Sequence, residues 1–580
     1  MKLIPKITPE IIELLRFTPL QYMLRTLENT PMHGMVYADD AKTPSTCVVR
    51  LGCELIFGGN ATPECLSYVK NKILTFEIYE TYGTFYLFYP NESWQSALTA
   101  LFLERCSLQE RSLYGTKSTA AKIDIPSAII PITPQLMESD VRNKEMIINE
   151  IRGINRFFKN NGFGYALLID GEICGFCTSE YHSVNELAAN IEVTEANRKK
   201  GYAKAMIAAF LDEAIGKGYK VYWEAQKDDT PSINTALSCG FQHIADYPAI
   251  FLNLCDMDRA VQEPKDYDVL NAAQKYLPDI KSIKRVPKGG STYVYQIKTS
   301  SELCYARFLP EDCTFAVEAT AHKIMTDLGV QVPQIIAYED KEAISGQSMM
   351  LISEIPGVCM EESCPENPAE ILREAGRQLA LIHSIPVDGF GWIDRNSHDM
   401  LKGEKNSFLE YFDNYLADDL VCLNYYECPD EEKEQIRSYM EQAKSMLDVQ
   451  SAVLVHGDFD ISHIYHESGK FSGFIDFGEI RGNNRLYDLA QFSYVDSSPD
   501  RSAYYHLIDG YRETAQLTDD DLYAIELMAL FIVLRFAGKK VEELIDDDLE
   551  NLQDDFWYGL VRKQLERINH LQQNPKKQSS

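Results

Sequence analysis

Two carboxylates, Asp458 and Asp476, each follow a short apolar run, and they constrain the fold of this chain more than any other feature. The run 452–455 leads into the segment His-Gly-Asp-Phe-Asp-Ile-Ser-His, and a Gly-Lys turn precedes the second run, 471–475. Short apolar runs bounded by turn residues are typical of strands. We therefore expect the two carboxylates to lie beside each other at neighbouring strand ends.

This arrangement is typical of phosphoryl transfer from a nucleotide. The reaction needs one carboxylate that orients the attacking hydroxyl and accepts its proton, and oxygen or nitrogen ligands that hold Mg²⁺ against the phosphates. We assign the first role to Asp458 and the metal-binding role to His463 and Asp476. The alternative is that acids next to a histidine only satisfy one another in a core, but two correctly spaced motifs favour the kinase.

The pattern resembles the aminoglycoside phosphotransferase family, whose catalytic loop reads His-Gly-Asp, four residues and Asn, followed by Ile-Asp-Phe/Trp-Gly. This chain has His463 at the Asn position, as in some aminoglycoside and macrolide kinases of the superfamily. The resemblance covers about residues 268–570. It implies a bilobal protein-kinase-like domain that uses Mg²⁺ and takes phosphate from ATP or GTP.

Upstream segments follow in the order that such a fold requires. Gly289, Gly290 and Ser291 lie between predicted strands at 282–286 and 293–297, so this segment is expected to be a hairpin turn that covers the nucleotide. Alone, Gly-Gly-Ser is more often an ordinary turn. The resemblance to the kinase family favours the nucleotide-binding interpretation.

Three charged residues complete the predicted nucleotide site. Arg307, in the predicted strand 303–309, is expected to pair with the phosphates and with Glu318, which begins an amphipathic helix. Glu354 follows the strand 349–352, in the segment expected to contact the base. Backbone groups do that recognition, so the side chains do not distinguish ATP from GTP. Without the catalytic loop, Arg307 and Glu318 would be interpreted as solvated surface charges.

Residues 165–254 carry a different signature. A hairpin with an Asp-Gly turn, at 165–176, precedes a predicted strand at 186–193. Arg198-Lys-Lys-Gly201 then opens a helix. A basic, glycine-containing loop before a helix offers backbone N–H groups and a positive dipole end to a pyrophosphate. The alternative is a solvated basic turn.

The spacing Arg198-x-x-Gly201-x-Ala203 resembles the cofactor loop of GNAT acetyltransferases, which binds the pyrophosphate of acetyl-CoA. The strand 220–223 and the segment 232–241 follow in the order of that family. The resemblance implies that nine residues bind acetyl-CoA: Ile191, Val193, Arg198, Lys199, Lys200, Gly201, Tyr202, Ala203 and Ser232.

The acid and the base of acetyl transfer stay unassigned. Many GNAT enzymes have a tyrosine where this chain has Ala236, and Glu186 and Glu192 are candidate bases with no feature that selects either. The pattern of Ser232 and Ala236 resembles the subgroup that includes the zwittermicin-resistance acetyltransferase. Members of that subgroup carry an additional N-terminal region like residues 1–120.

A length of 580 residues exceeds what one hydrophobic core supports, so two or three domains are expected. We predict an α/β and α+β multidomain fold, a GNAT mixed-sheet domain followed by a bilobal phosphotransferase domain. The predicted boundaries are 1–120 for a companion lobe of the acetyltransferase, 121–262 for the GNAT domain, 268–570 for the kinase-like domain and 571–580 for a disordered tail.

The net charge is −31, and it lies mainly in the second half. Residues 1–265 have 26 Lys and Arg against 32 Asp and Glu, a balance of −6, whereas residues 266–580 have 30 against 55, a balance of −25. Such a chain repels nucleic acid and anionic membranes, and an acidic cleft attracts cationic small molecules. Acidic runs are also common as solvated faces.

No apolar run long enough to span a membrane and no secretion signal is visible, so a cytoplasmic protein is expected. The predicted function is modification of an aminoglycoside-like antibiotic by N-acetylation and O-phosphorylation. The alternative is a metabolic kinase for an amino sugar or amino alcohol, joined to an acetyltransferase or to a regulatory acyl-CoA-binding domain. The sequence does not indicate the oligomeric state.

Overall fold

The structure, a computed structural model, forms two compact units. The first comprises residues 1–255, 421–428 and 538–555, and the second comprises 256–420, 429–537 and 556–580. The structure describes residues 1–29, 34–75, 78, 82–116, 124–151, 154–159, 161–254, 263–287, 292–310, 313–363, 365, 367–398, 400–496, 498, 500–543, 552 and 554–573.

A twelve-stranded sheet organises the first unit, in the order β1-β2-β3-β4-β5-β12-β6-β11-β10-β9-β8-β7. Its strands are β1 Lys2–Ile4, β2 Met35–Ala38, β3 Thr46–Leu51, β4 Glu54–Gly59, β5 Thr84–Phe88, β6 Cys106–Thr116, β7 Ile129–Pro131, β8 Gly164–Ile169, β9 Glu172–Glu180, β10 Glu186–Val193, β11 Lys220–Gln226 and β12 Phe241–Asn253. The helices are α1 Pro9–Leu14, α2 Gln21–Asn29, α3 Pro63–Tyr68, α4 Glu92–Phe102, α5 Pro134–Glu138, α6 Glu145–Ile151, α7 Ile154–Lys159, α8 Tyr202–Gly216 and α9 Thr230–Ser238.

The sheet runs through the region where sequence patterns predict a domain boundary. β12 pairs with both β5 and β6, so strands from before and after residue 120 are neighbours. The ring of Tyr22 stacks on that of Tyr222 with centroids 4.4 Å apart. The N-terminal region and the predicted GNAT domain therefore share one sheet and one hydrophobic core, which includes Ile11 and Tyr247.

Helix α8 forms the centre of the second core cluster of this unit. Its sequence is rich in alanine and large apolar residues, and residues on most of its circumference are buried, including Met206, Phe210 and Leu211. A helix that is apolar around most of its surface has to be covered by other elements. Strands β8 to β11 provide that cover, which fixes the start of α8 beside the end of β10.

The second unit begins with a five-stranded antiparallel sheet in the order β13-β14-β15-β17-β16. Its strands are β13 Ile280–Val286, β14 Tyr293–Thr299, β15 Leu303–Phe308, β16 Ile335–Glu339 and β17 Met349–Ser353, accompanied by helices α10 Asp266–Ala273 and α11 Ala316–Asp327. The predicted strands and the predicted helix of this region are confirmed to within a few residues. The turn residues Gly289, Gly290 and Ser291 lie outside the described residues.

Small sheets and several helices complete the chain. The sheets are β18-β23-β24 and β19-β22-β25-β20-β21. The strands are β18 Val358–Cys359, β19 Pro386–Val387, β20 Phe390–Ile393, β21 Gly403–Lys405, β22 Ala452–Val455, β23 Ile464–Glu467, β24 Lys470–Phe474 and β25 Arg481–Asn483, and the helices are α12 Pro368–Ile382, α13 Phe408–Cys422, α14 Asp430–Leu447, α15 Tyr487–Val495, α16 Ser502–Thr514, α17 Asp519–Glu543 and α18 Phe556–Gln573. Within the described ranges, none of the helices is long and apolar enough to cross a membrane.

Candidate active sites

Asp488 anchors the loop that carries Asp458, the predicted catalytic base. Its fully buried carboxylate accepts hydrogen bonds from the backbone N–H of His456 at 2.7 Å and of Gly457 at 3.0 Å. His383 Nε2 lies 2.9 Å from the same carboxylate. Burial by itself raises the pKa of Asp488, but the interactions with His383 and the backbone outweigh burial, so the pKa is below its usual value. Asp488 therefore acts as an ionised structural anchor.

The anchored loop turns His456 inward and Asp458 outward. His456 is fully buried and its Nε2 lies 2.9 Å from the carbonyl oxygen of Ile475, while Asp458 is exposed. Burial lowers the pKa of His456, and the neighbouring His463 lowers it further. His456 is therefore neutral and structural, and Asp458 is the carboxylate of this loop that can reach a bound hydroxyl.

The two predicted metal ligands face each other. His463 Nδ1 lies 2.7 Å from the backbone carbonyl oxygen of Asp458, and because a carbonyl only accepts, Nδ1 carries the hydrogen. In the neutral ring, Nε2 then has a free lone pair, and it lies 4.0 Å from Asp476 Oδ2. Two ligands of one octahedral Mg²⁺ are separated by roughly 3 to 4 Å, so this pair fits a shared metal ion.

Asp476 has a left-handed backbone conformation, with a φ of 64° and a ψ of 66°. Non-glycine residues rarely adopt this conformation, and it is common at functional sites. Here the conformation occurs just after β24 ends, and the carboxylate faces His463. Among the residues that the structure describes, no group of three or more His, Cys, Asp or Glu side chains converges to hold a metal. Further ligands would have to come from phosphate oxygens and water, as is usual for Mg²⁺ at nucleotide sites.

Arg307 connects the predicted nucleotide site to Asp476. Its guanidinium forms an ion pair with Glu318 on α11, and its Nη2 lies 3.8 Å from Asp476 Oδ1. Burial raises the pKa of Glu318, but Arg307 and His322 outweigh burial and lower it to about 2. The predicted pairing of Arg307 with Glu318 is confirmed, and the contact with Asp476 places a buried cation beside a predicted metal ligand.

The structure adds residues that the sequence motifs did not reveal. Arg395 Nη2 donates to the carbonyl oxygen of Gly478 at 3.1 Å, and Gln491 bonds both the carbonyl of Gly457 and the N–H of Phe459. Glu479 is partly buried, which raises its pKa. Glu479 directly follows the Ile-Asp-Phe-Gly motif, so its position was visible in the sequence, whereas Arg395 and Gln491 are brought in only by tertiary folding. Glu354 lies exposed just after β17, as predicted.

In the first unit, strands β10 and β11 separate at the predicted cofactor segment. Their parallel ladder covers Glu186 to Ala188 only, although β10 continues to Val193 and β11 to Gln226. β11 continues its pairing with β6 instead. The gap between the strands exposes an edge of β10 at Ile191 and Val193, which is the edge where an extended ligand can add its own hydrogen bonds.

The predicted pyrophosphate loop lies at the N-terminal end of α8. Lys199 has a φ of 63° and Gly201 a φ of 85°, so the chain makes a left-handed turn before the helix starts at Tyr202. The first N–H groups of a helix have no partner within the helix and favour an anion. A Cβ on Gly201 would meet nothing within 4 Å, so the constraint at this position is conformational.

The basic side chains of the loop are exposed, and two of them hold the loop together. Arg198 Nε donates to the carbonyl oxygen of Val193 at 3.0 Å, and Lys200 Nζ donates to Asn197 Oδ1 at 3.0 Å. The structure thus brings Arg198, Lys199, Lys200, Gly201, Tyr202 and Ala203 together at the end of β10. Ser232 lies on α9, where its hydroxyl accepts a hydrogen bond from Trp223 Nε1 at 3.0 Å.

The candidate bases of acetyl transfer differ in their surroundings. Glu186 forms an ion pair with Arg25 and accepts a hydrogen bond from the hydroxyl of Tyr222 at 2.7 Å. Glu192 is exposed. Ala236 is fully buried on α9, where it packs in the core. Glu186 is therefore held in a structural ion pair. This argues against Glu186, the less exposed of the two candidate bases, as the base of acetyl transfer.

The comparisons with known proteins agree with this division of the chain. The family model described as "GNAT acetyltransferase" matches residues 18–250, and the model described as "Phosphotransferase enzyme family" matches residues 282–521. An aminoglycoside 3'-phosphotransferase of Enterococcus faecalis is 27% identical over 224 residues, which are 37% of this chain and 80% of the relative.

Relatives of the first half have been identified as well. The uncharacterized N-acetyltransferase YdfB of Bacillus subtilis (strain 168) is 22% identical over 220 residues, which are 37% of this chain and 84% of the relative. A solved GCN5-related N-acetyltransferase-like protein from Streptococcus suis 89/1591 has 19% identity and a TM-score of 0.34, and the match covers 42% of this chain and 97% of that one. The resemblance to the zwittermicin-resistance subgroup stays a prediction.

Each match falls on the half of the chain whose geometry suits it. The GNAT match contains the gap between β10 and β11 and the basic loop, and the phosphotransferase match contains Asp458, His463 and Asp476. Domains of these families use acetyl-CoA and ATP, respectively. The chain therefore joins a GNAT acetyltransferase domain, at residues 18–250, to a domain of the phosphotransferase enzyme family, at residues 282–521.

Proposed function

We propose that the second domain transfers the terminal phosphate of ATP or GTP to a hydroxyl of a cationic, aminoglycoside-like small molecule, with Mg²⁺ bound by His463 and Asp476. The observation that carries this proposal is the pair formed by His463 Nε2 and Asp476 Oδ2, 4.0 Å apart, with His463 on the loop that also presents Asp458 and Asp476 just after β24. The substrate class is supported by the relative from Enterococcus faecalis, which is named an aminoglycoside 3'-phosphotransferase.

Asp458 and Arg307 have different roles in the proposed reaction. Asp458 orients the acceptor hydroxyl and takes its proton as the oxygen attacks the γ-phosphorus, while the bond from that phosphorus to the bridging oxygen of the nucleotide breaks. Arg307, fixed by Glu318, supplies positive charge beside Asp476, where the phosphates would lie. Mg²⁺, when bound, neutralises charge that develops on the phosphate oxygens.

Two variants test these roles separately. Asp458→Ala is expected to lower kcat by several powers of ten with a nearly unchanged KM for nucleotide, because the acceptor of the proton is lost. Asp476→Ala is expected to lower kcat and also to raise the KM for Mg²⁺–ATP, because a metal ligand is lost. The measurement is the release of ADP with kanamycin A as acceptor, together with phosphorus NMR of the product.

A matched control is Asp520→Asn, which removes an exposed carboxylate from the first turn of α17. Its activity should equal that of the unmodified chain. The assignment would be wrong if Asp458→Ala retained full activity, or if none of a panel of amines, amino sugars and antibiotics accepted phosphate from ATP or GTP.

For the first domain we propose N-acetylation of a small amine. The nitrogen lone pair attacks the thioester carbonyl of acetyl-CoA, the C–S bond breaks, the amine loses a proton and the departing thiolate gains one. The basic loop at 198–201 and the open edge of β10 support the cofactor site. The test is the release of free thiol from acetyl-CoA in the presence of an amine panel.

A second candidate is a regulatory acyl-CoA-binding domain joined to a metabolic amino-sugar or amino-alcohol kinase. It is favoured by Ala236, buried where many members have a tyrosine, and by Glu186, held in its ion pair with Arg25. Binding of acetyl-CoA without thiol release from any amine would decide for this candidate. We propose that both domains act in the cytoplasm, where acetyl-CoA and nucleotides are available.

A further inference from the structure

The composition of the metal site proposed for the second unit determines which ion it favours. Of the two side chains, Asp476 offers a carboxylate oxygen, and His463 offers the ring nitrogen Nε2, 4.0 Å from that oxygen. Mg²⁺ is a hard cation that binds oxygen ligands in nearly ideal octahedral geometry. Divalent ions of the first transition series also accept oxygen, but they bind imidazole more strongly than Mg²⁺ does. His463 is therefore the residue at which these ions are distinguished.

Two contacts fix the ring of His463. Its Nδ1 donates to the carbonyl oxygen of Asp458 at 2.7 Å, so the lone pair of the neutral ring is on Nε2. The ring also stacks on that of His456, with centroids 5.3 Å apart and planes inclined by 30°. Only 13% of the His463 side chain is exposed. Because one tautomer and one orientation are already set, a metal ion at Nε2 does not have to immobilise the side chain.

The neighbouring His456 does not supply a second nitrogen. Its Nε2 donates to the carbonyl oxygen of Ile475 at 2.9 Å, and its Nδ1 accepts from the backbone N–H of Asp458 at 3.4 Å, so both ring nitrogens are used. On the other ligand, Asp476, Oδ1 lies 3.8 Å from Arg307 Nη2, which leaves Oδ2 for a metal ion. The pair therefore supplies one nitrogen and one oxygen, unlike the several nitrogen and sulfur ligands that are typical of zinc sites.

The ion that suits this pair has to combine two properties. It has to favour octahedral coordination that is mostly oxygen, because phosphate oxygens and water would complete the site, and it has to accept one imidazole nitrogen. Mg²⁺, Ca²⁺ and Mn²⁺ are typical of octahedral oxygen sites, and of these three Mn²⁺ is the transition-metal ion, which binds nitrogen most readily. The ligand set of His463 and Asp476 therefore matches Mn²⁺ better than it matches Mg²⁺.

We propose that Nε2 of His463 makes this site favour Mn²⁺ over Mg²⁺ when a nucleotide is bound. The inference rests on the metal-binding role proposed above for His463 and Asp476. It adds the preferred ion, and it assigns the preference to one nitrogen atom of this chain. The roles proposed for Asp458 and Arg307 do not depend on which of the two ions is bound, since both ions carry the same charge.

The first test detects the nitrogen ligand directly. The unmodified full-length chain is mixed with Mn²⁺ and AMP-PNP, and pulsed electron paramagnetic resonance records couplings of the Mn²⁺ electron spin to nearby nuclei. We expect a nitrogen coupling that changes when the chain is labelled with ¹⁵N in its histidine rings, because the label separates histidine from the nitrogens of the nucleotide. The coupling should be absent in His463→Asn. The measurement on the unmodified chain needs no variant, so it does not depend on how well a variant folds.

The second test measures the preference itself. Calorimetric titration gives the Kd of AMP-PNP at saturating Mn²⁺ and at saturating Mg²⁺, and the unmodified chain should bind the Mn²⁺ complex more tightly. In His463→Asn an amide oxygen replaces the ring nitrogen, so the ratio of the two Kd values should fall by about tenfold or more. The control is His398→Asn, at an exposed histidine of the same unit, which should leave the ratio unchanged.

The inference is overturned if the unmodified chain shows no histidine nitrogen coupling, if His463→Asn keeps the ratio of the unmodified chain, or if AMP-PNP does not bind with Mn²⁺. Failure of the proposed phosphoryl transfer would look different. In that case the metal complex of AMP-PNP binds, but no acceptor receives phosphate from ATP or GTP. The nitrogen coupling and the ratio of the Kd values then still decide the inference, because neither measurement requires turnover.

Discussion

At the scale of single residues, Arg307 keeps Glu318 ionised inside the protein. The pKa of Glu318 is lowered from 4.5 to about 2 although burial acts in the opposite direction. A carboxyl whose pKa is lower in the folded state stabilises the fold above its unfolded pKa, and the contribution is lost as the pH falls from about 4.5 toward 2. Without the charge of Glu318, the buried guanidinium of Arg307 loses its ion-pair partner and keeps only the longer contact with Asp476.

We therefore expect Glu318→Gln to destabilise the second unit by about 3 kcal/mol at pH 7. The difference from the unmodified chain should shrink as the pH falls from about 4.5 toward 2, because the unfolded chain then binds a proton at Glu318 that the folded chain does not. Urea unfolding followed at several pH values measures both effects. Glu302→Gln, at an exposed position before β15, is the control. An equal loss of stability at pH 7 and at pH 3 would contradict the role given to the charge.

The sequence predicts the candidate catalytic and metal-binding residues, but it does not predict the residues that hold their segments in place. Asp458, His463 and Asp476 lie within 19 residues of one another, so their motif spacing carries the information. Arg395 reaches Gly478, and Gln491 reaches Gly457 and Phe459, from other segments of the chain, and single residues of these types have no distinguishing local pattern. The contact of Arg307 with Asp476 depends on how β15 is placed against the loop, which only tertiary packing determines.

At the scale of elements, the turn at Gly457 holds the predicted catalytic loop against Glu479, which precedes β25. Gly457 has a φ of 85°, and a Cβ on it would lie 1.9 Å from the carbonyl oxygen of Glu479. Gly469, in the turn between β23 and β24, has a φ of 75° and open space around it. The two glycines thus share a left-handed conformation, and only one of them has a close neighbour.

Gly457→Ala should displace the loop, because the added methyl group cannot be accommodated without moving backbone, and Gly469→Ala should not. Both carry a strain of about 1 kcal/mol from the left-handed conformation. We expect kcat for phosphoryl transfer to fall by more than tenfold in Gly457→Ala, and to stay within about twofold in Gly469→Ala. Equal activities in the two variants would show that the close approach to Glu479 is unimportant for positioning Asp458.

Element boundaries illustrate what sequence patterns can and cannot give. The strand 186–193 was predicted with the bounds that the structure has, since a polar turn precedes it and the basic loop follows it. The helix predicted to begin at Glu318 begins at Ala316 in the structure. A pattern of apolar residues places a helix and its buried face but does not mark its first residue.

At the scale of the whole molecule, the sequence predicted two chemistries but not the shared sheet of the first unit. Residues 1–120 show no catalytic motif, so their sequence predicts a companion lobe of the acetyltransferase. In the structure, β6 lies between β11 and β12, in the middle of the sheet. Strands that pair although they are more than 100 residues apart, such as β6 and β12, have no local sequence pattern that predicts their pairing.

The charge of the whole molecule leads to a final prediction. Residues 266–580 carry a balance of −25, so a polycationic acceptor is attracted to the phosphotransferase half over a distance that salt shortens. Raising NaCl from about 10 mM to about 0.3 M reduces the screening length severalfold, and the KM for kanamycin A should rise severalfold with little change in kcat. Initial rates of ADP release at saturating Mg²⁺–ATP measure this, with sucrose of equal osmolality as the uncharged control. A KM that is independent of salt would show that the acidic surface contributes solubility rather than substrate attraction.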